Sequence, residues 1–222
     1  LPYFAPLYRP DTRLRILGYE GARSSLATVL SNQMESPFFP VGLREVPSQF
    51  EIEELREMQF DLGRVRVEAR FANHPGICVG YRLTTPAGRV AFFPDNEPPS
   101  RQQKARAITH TPGSDTAEFA ANEEARLIEF LASVDILIMD AQYTEAEYGE
   151  HVGWGHGCME DVVRLARAAK VRRLFLFHHD PDHDDDTVAA IESRARELAA
   201  TDGGTLEVSA AREGMEVRLR QP

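Results

Sequence analysis

Two rounds of apolar strand and amphipathic helix in the second half of the chain limit its fold more than any other feature. "DILIMD" (Asp135–Asp140) is a short apolar run, and "MEDVVRLARAAK" (Met159–Lys170) repeats its apolar residues at helical spacing. "RRLFLFHH" (Arg172–His179) is again strand-like, and "DTVAAIESRARELAA" (Asp186–Ala200) again helical, with Asp186 as the expected N-cap. A short apolar strand must be covered on both faces, and the helix between two such strands supplies the crossover. This half therefore reads as a layered α/β structure.

The first half carries a second kind of signal. "RLRILGYE" (Arg13–Glu20) is strand-like and is followed by a helix capped at Ser24 or Ser25. Four prolines or glycines between Ser36 and Ser48 mark a loop. "RVRVEARFA" (Arg64–Ala72) alternates with period two, which predicts a strand with one wet face. "ICVGYRL" and "RVAFFPD" flank "TTPAG" and form a hairpin. Asp95–Asp115 is polar and Pro-bearing, which predicts a long mobile loop. A helix with Leu127, Phe130, Leu131 and Val134 at helical spacing precedes "DILIMD", and "TLEVSA" and "MEVRL" close the chain as strands.

Composition removes several classes of function. Formal net charge is −10 with no Lys/Arg-rich run, which argues against a broad basic surface for duplex nucleic acid and leaves a local basic groove open. No apolar run approaches the ~20 residues that span a bilayer. Cys78 and Cys158 stand singly, without a CxxC pair, which argues against a disulfide framework or thiolate zinc and suits a reducing cytoplasm. Cys158 reads as an inert thiol.

The chemistry gathers at strand ends, where layered α/β folds collect their ligands. His74 follows "RVRVEARFA", Asp95 follows "RVAFFP", Asp140 follows "DILIM" and His178 follows "RRLFLF". One such residue alone is usually a turn or a cap. Four together suggest a site, and mixed His and carboxylate ligands suit zinc, manganese or iron better than magnesium or calcium. Asp180, Asp182 and Asp184 have the alternate spacing of a calcium loop, but Asp185 stands where glycine is required and Ile191 where the closing Glu belongs. His151 reads as a solvated loop residue and His183 as a surface residue.

"NHPGICVGYRL", "FFPDNE", "DAQYTEAEY", "GWGHG" and "FLFHHDPDH" come in the order and context of the metallo-β-lactamase-fold hydrolases. The chain resembles above all the branch of ribonuclease Z and small phosphodiesterases, most strongly from Phe71 to Asp184. The resemblance implies an αββα sandwich with two divalent metal ions at its edge, zinc first and manganese or iron as alternatives. It implies that His74 and His178 are metal ligands and that Asp95 bridges the two metals. It also implies that His156 in "GWGHG" is a non-ligand proton donor oriented by Asp140.

Such proteins carry an early HxHxDH motif, which this sequence lacks, since no His precedes His74. "LPYFAPLY" resembles the stretch that follows the motif, so residues 1–222 are expected to form a single domain missing its first strands and first metal motif. An exposed sheet edge would then invite association, with a homodimer as one outcome. The strands before His74 and Asp95 are expected in one sheet, and those before Asp140 and His178 in a second sheet packed on it.

The resemblance implies hydrolysis of a small-molecule or nucleotide-type phosphodiester. Two readings stay open beside it. One is hydrolysis of a thioester, lactone or lactam on the same fold, and the other is a non-catalytic sensor that lost its first metal motif.

Overall fold

The computed structural model describes residues 1–19, 24–102 and 114–219, with the backbone alone for 114–117. The chain divides into two compact units, Leu1–Met58 and Gln59–Pro222.

In the first unit, β1 (Arg13–Tyr19) pairs in parallel with β2 (Gln49–Leu55), from Arg13 opposite Gln49 to Tyr19 opposite Leu55. Helix α1 (Leu26–Asn32) lies between them in sequence, and its N-cap Ser25 accepts a hydrogen bond from the Thr28 amide at 3.1 Å. Leu7, Met34, Leu43 and Val46 form a small buried cluster, with Leu14, Phe50 and Ile52 packed against it.

The second unit is built on a seven-stranded sheet ordered β3-β4-β5-β6-β7-β8-β9. Its strands are β3 (Gln59–Leu62), β4 (Val65–Phe71), β5 (Val79–Thr85), β6 (Gly88–Phe93), β7 (Ile136–Asp140), β8 (Arg173–Phe177) and β9 (Glu207–Ala210). The β3–β4, β4–β5 and β5–β6 pairs are antiparallel, and β6 to β9 run in parallel. Strands β4, β6, β7 and β8 therefore all end at one edge of one sheet. This corrects the expected division of these four strands between two sheets: the β5–β6 hairpin turns the chain back once, and β6 then serves as template for β7. Strands β2 and β3 carry no clear signal in the sequence, because their alternation is diluted by charged residues on exposed positions.

Each helix is fixed by local signals and by the face it buries. Helix α4 (Met159–Ala168) carries Glu160 and Asp161 in its first turn and Arg167 in its last, each charge opposing the dipole. It closes in a Schellman arrangement: Lys170 adopts φ 55°, and the Val171 amide donates to the Ala166 carbonyl at 3.0 Å. Met159, Val162, Val163, Leu165 and Ala166 are buried in the main core with Leu137, Met139, Leu174 and Leu176 of the central strands. Helices α2 (Ser114–Phe130) and α5 (Asp185–Ala200) add Leu127, Ile191, Ala195 and Ala199 to that core. Helix α3 (Glu145–Tyr148) is a single turn.

Three local expectations change. The cap of α5 is Asp184, whose Oδ1 accepts from the Thr187 amide at 2.8 Å, so the helix starts before Asp186. Met215–Leu219 is not a strand. The Arg218 carbonyl is taken by the Arg173 guanidinium at 2.8 Å instead of a neighbouring strand's amide. Within the long loop expected over Asp95–Asp115, a short helical turn covers 99–102, and 103–113 lie outside the described residues. No described helix is long and apolar enough to cross a membrane.

Candidate metal centre and proton-donor site

The common edge of β4, β6, β7 and β8 gathers five of the residues singled out above. His74 sits in the β4–β5 loop, which the Ala72 amide closes on the Cys78 carbonyl at 3.0 Å. Asp95 lies two residues past β6, Asp140 ends β7 and His178 follows β8. His178 adopts φ 58°, the left-handed region that imidazole side chains enter more readily than most, and this turns the chain off the sheet directly after β8. His156 arrives from the other direction, on the Gly153–Gly157 loop that leads into α4. That loop is clamped where the Tyr143 amide donates to the Gly157 carbonyl at 3.0 Å and the Met159 amide to the Tyr143 carbonyl at 2.8 Å.

The side chains converge. His178 Nε2 is 3.2 Å from Asp95 Oδ1, and His156 Nδ1 is 3.9 Å from the same oxygen. The His156 ring centroid is 5.3 Å from that of His74 and 4.7 Å from that of His178. Ligand-type atoms of His74, Asp95 and His156 all lie within 4.8 Å of one another, as do those of Asp140, His156 and His178.

Asp140 differs from Asp95 in its bonding. It is 0% exposed, Oδ1 accepts from the Gln142 amide at 3.1 Å, and Oδ2 accepts from the Asn96 amide at 3.1 Å and from His156 Nδ1 at 2.9 Å. Both oxygens are thus committed to donors, which suits an orienting group better than a ligand. The hydrogen bond that His156 donates to Asp140 holds the imidazole above its ordinary pKa, against the opposing effect of burial. His156 keeps Nε2 for another partner. Gly157 allows this packing, because a Cβ there would stand 2.2 Å from the Asp140 carbonyl oxygen.

Three features fit a bound cation. His178 Nδ1 is buried with no hydrogen-bond partner among the described residues. His74 donates Nδ1–H to the Pro75 carbonyl at 2.9 Å, which leaves Nε2 with a free lone pair. Imidazole nitrogens beside a carboxylate form the mixed donor set of zinc, manganese or iron sites.

Several residues of the site were not found by sequence reasoning. Glu97 is 0% exposed and accepts hydrogen bonds from the Gly153 amide at 2.9 Å and the Gly155 amide at 3.2 Å. Asn73 donates its side-chain amide to the Glu97 carbonyl at 2.8 Å, and its backbone amide to Asn96 Oδ1 at 3.1 Å. The sole signal was adjacency, since "NHPG" and "PDNE" place these residues beside His74 and Asp95. His151 and His183 are not solvated surface groups. The His151 ring stacks on Tyr143 at 4.1 Å and meets the edge of Trp154 at 4.8 Å. The His183 side chain is 8% exposed and lies 2.8 Å from Glu147 Oε1. Trp154 itself is 58% exposed. Cys158 is fully buried, and burial pushes its thiol up to about 12, so it is no nucleophile near neutral pH.

No protein-family model matches the chain. Ribonuclease Z of Thermoplasma acidophilum is 24% identical in sequence, over 82% of this chain and 64% of that protein. The metallo-β-lactamase-fold protein YhfI of Bacillus subtilis superposes with a TM-score of 0.58 at 15% identity, covering 91% of this chain and 64% of its own. A diphosphatase of the PhnP family superposes with a TM-score of 0.53 at 15% identity, covering 98% of this chain and 65% of its own. The chain thus spans just under two thirds of the length of each relative. The shared architecture and the strand-end position of the site agree: the chain has the metallo-β-lactamase fold, and its sequence is similar to that of a ribonuclease Z.

Proposed function

We propose that the protein is a metal-dependent hydrolase of phosphodiester bonds, in which His74, Asp95 and His178 hold divalent cations and His156 protonates the leaving oxygen. The observation that carries this reading is the 2.9 Å bond from His156 Nδ1 to the fully buried Asp140. It fixes the imidazole tautomer, supports its positive charge and leaves Nε2–H to be given away. A pair of divalent cations would polarise the phosphate and lower the pKa of a water there. Asp95 suits the place between two cations because a carboxylate has two oxygens to share, which imidazole does not. Similarity to a ribonuclease and to a diphosphatase supports a phosphate ester over a thioester, lactone or lactam. The substrate class we favour is a small-molecule or nucleotide-type phosphodiester. Zinc is the favoured metal, and the unpaired Cys78 and Cys158 favour a reducing compartment.

The test separates donor from ligand. His156→Ala in the intact protein should leave metal stoichiometry unchanged and lower turnover by roughly two to four orders of magnitude, the usual worth of general acid–base catalysis. The loss should shrink for a nitrophenyl ester, whose leaving group needs little protonation. Asp140→Asn should act in the same direction, whereas Asp95→Ala should lose metal and activity together. If His156→Ala strips the metal, or if good and poor leaving groups suffer alike, the donor role is wrong.

A further inference from the structure

We infer that Glu97 is a positioning residue for the reaction: a buried anion that holds the glycine loop, and through it His156, where a proton can be delivered. This rests on the reading of His156 as the donor.

Burying a carboxylate is unfavourable unless its oxygens are met by donors, and here they are. Oε1 accepts from the Gly153 amide at 2.9 Å and from the Tyr148 hydroxyl. Oε2 accepts from the Gly155 amide at 3.2 Å and from Gln102 Nε2 at 3.0 Å. All four partners are donors, the pattern of an ionised group with no acceptor site left over. Gly153 at φ 87° and Gly155 at φ 95° occupy conformations that side chains rarely adopt, and their amides converge on this one group.

The backbone of Glu97 extends the linkage. Its amide donates to the Asn73 carbonyl at 2.9 Å, and its own carbonyl accepts from Asn73 Nδ2 at 2.8 Å. One residue thereby joins three loops, those carrying His74, Asp95 and His156. Glu97 belongs to neither cluster of convergent ligand-type atoms, so its work is on geometry and not on the cation. A small change in placement of a catalytic group lowers rate steeply, by as much as ~10²-fold for a displacement near 1 Å.

Glu97→Gln tests this, because it keeps the side-chain shape and turns an NH2 toward donors. In the intact, metal-loaded protein, metal content should stay unchanged. Turnover of an alkyl phosphodiester should fall roughly ten- to a hundredfold, and turnover of a nitrophenyl ester should barely change. Added to His156→Ala, the substitution should cost nothing more. A second readout needs no catalysis: in the metal-free protein, the downfield proton bound to His156 Nδ1, identified by its loss in His156→Ala, should broaden or vanish in Glu97→Gln.

Should Glu97→Gln fail to fold, Tyr148→Phe removes one donor and leaves both amides in place, and should give the same pattern more weakly. Equal slowing of both substrates, additivity with His156→Ala, or an unaltered His156 proton would overturn the inference. Absence of leaving-group dependence in His156→Ala itself would remove the donor reading, while the proton resonance would still decide whether Glu97 positions the imidazole.

Discussion

Replacing three glycines by alanine, one at a time, separates backbone strain from crowding at the site. Gly149 has ordinary helical angles, φ −56° and ψ −32°, and a Cβ there would meet nothing within 4 Å. Gly149→Ala should be neutral or stabilising by up to about 1 kcal/mol, through the unfolded chain. Gly76 at φ +86° also has nothing within 4 Å, so Gly76→Ala adds strain alone, about 2 kcal/mol. Gly155 at φ +95° adds both, because its Cβ would stand 2.4 Å from His74 Cδ2 and 2.4 Å from Pro75 Cδ. Carbon atoms prefer about 3.5–4.0 Å, so His74 must move by roughly 1 Å. Strain and overpacking together come to about 4 kcal/mol. For a protein of this size, each kcal/mol lowers the melting point by about 2–4 °C. The expected falls are therefore about 4–8 °C for Gly76→Ala and about 8–16 °C for Gly155→Ala. Thermal unfolding followed by circular dichroism reads the stability, and zinc titration by calorimetry reads the ligand. Only Gly155→Ala should weaken zinc by tenfold or more, the scale of losing the support of a metal ligand. If Gly155→Ala melts with Gly149→Ala, or if it matches Gly76→Ala in both measurements, the close approach of Gly155 to His74 is not what holds that imidazole.

Further predictions concern the sheet. Glu68 faces Arg82 across the β4–β5 pair, with bonds of 2.8 Å and 2.9 Å, and the guanidinium holds its carboxyl below the ordinary value. A depressed pKa means stability that is complete at neutral pH and lost as pH falls through the folded-state value. Glu68→Gln should therefore cost about 1–2 kcal/mol at pH 7 by urea unfolding. The two proteins should converge in acid, and parallel curves would exclude the ion pair as the cause. Leu174 is 0% exposed at the centre of the main core, so Leu174→Ala should cost about 2–5 kcal/mol in the same assay. A smaller loss would mean that the core collapses around the gap.

The second half of the fold was legible because its strands are apolar on both faces and its helices amphipathic, so each element announces its own type. The first half was less so. In β2 and β3 the exposed positions carry Glu51, Glu53, Glu54 and Asp61, and charge on a wet face hides the alternation. Strand order was not readable at all: that β6 pairs with β7 depends on which edge the long connection returns to, and residue spacing holds no record of that. At the site, the strand-end histidines and aspartates stood out because their chemistry is rare after an apolar run. Glu97 did not, because a Glu among prolines looks like any loop acid until the amides that face it are seen. His183 was hidden for the same reason, since its hydrogen-bond partner Glu147 is 36 residues away in sequence.

Trp154 is the chain's sole tryptophan, and it stands in water two positions from His156 with its edge against the His151 imidazole. The protein therefore carries an intrinsic fluorophore on the loop that holds His156. Indole emission shifts and dims with solvent contact and with a neighbouring ring, so light excited selectively from Trp154 comes from one loop and reports little else. Titrating a cation or a phosphodiester, or mixing either in a stopped flow, would report any change around that loop in real time without a label.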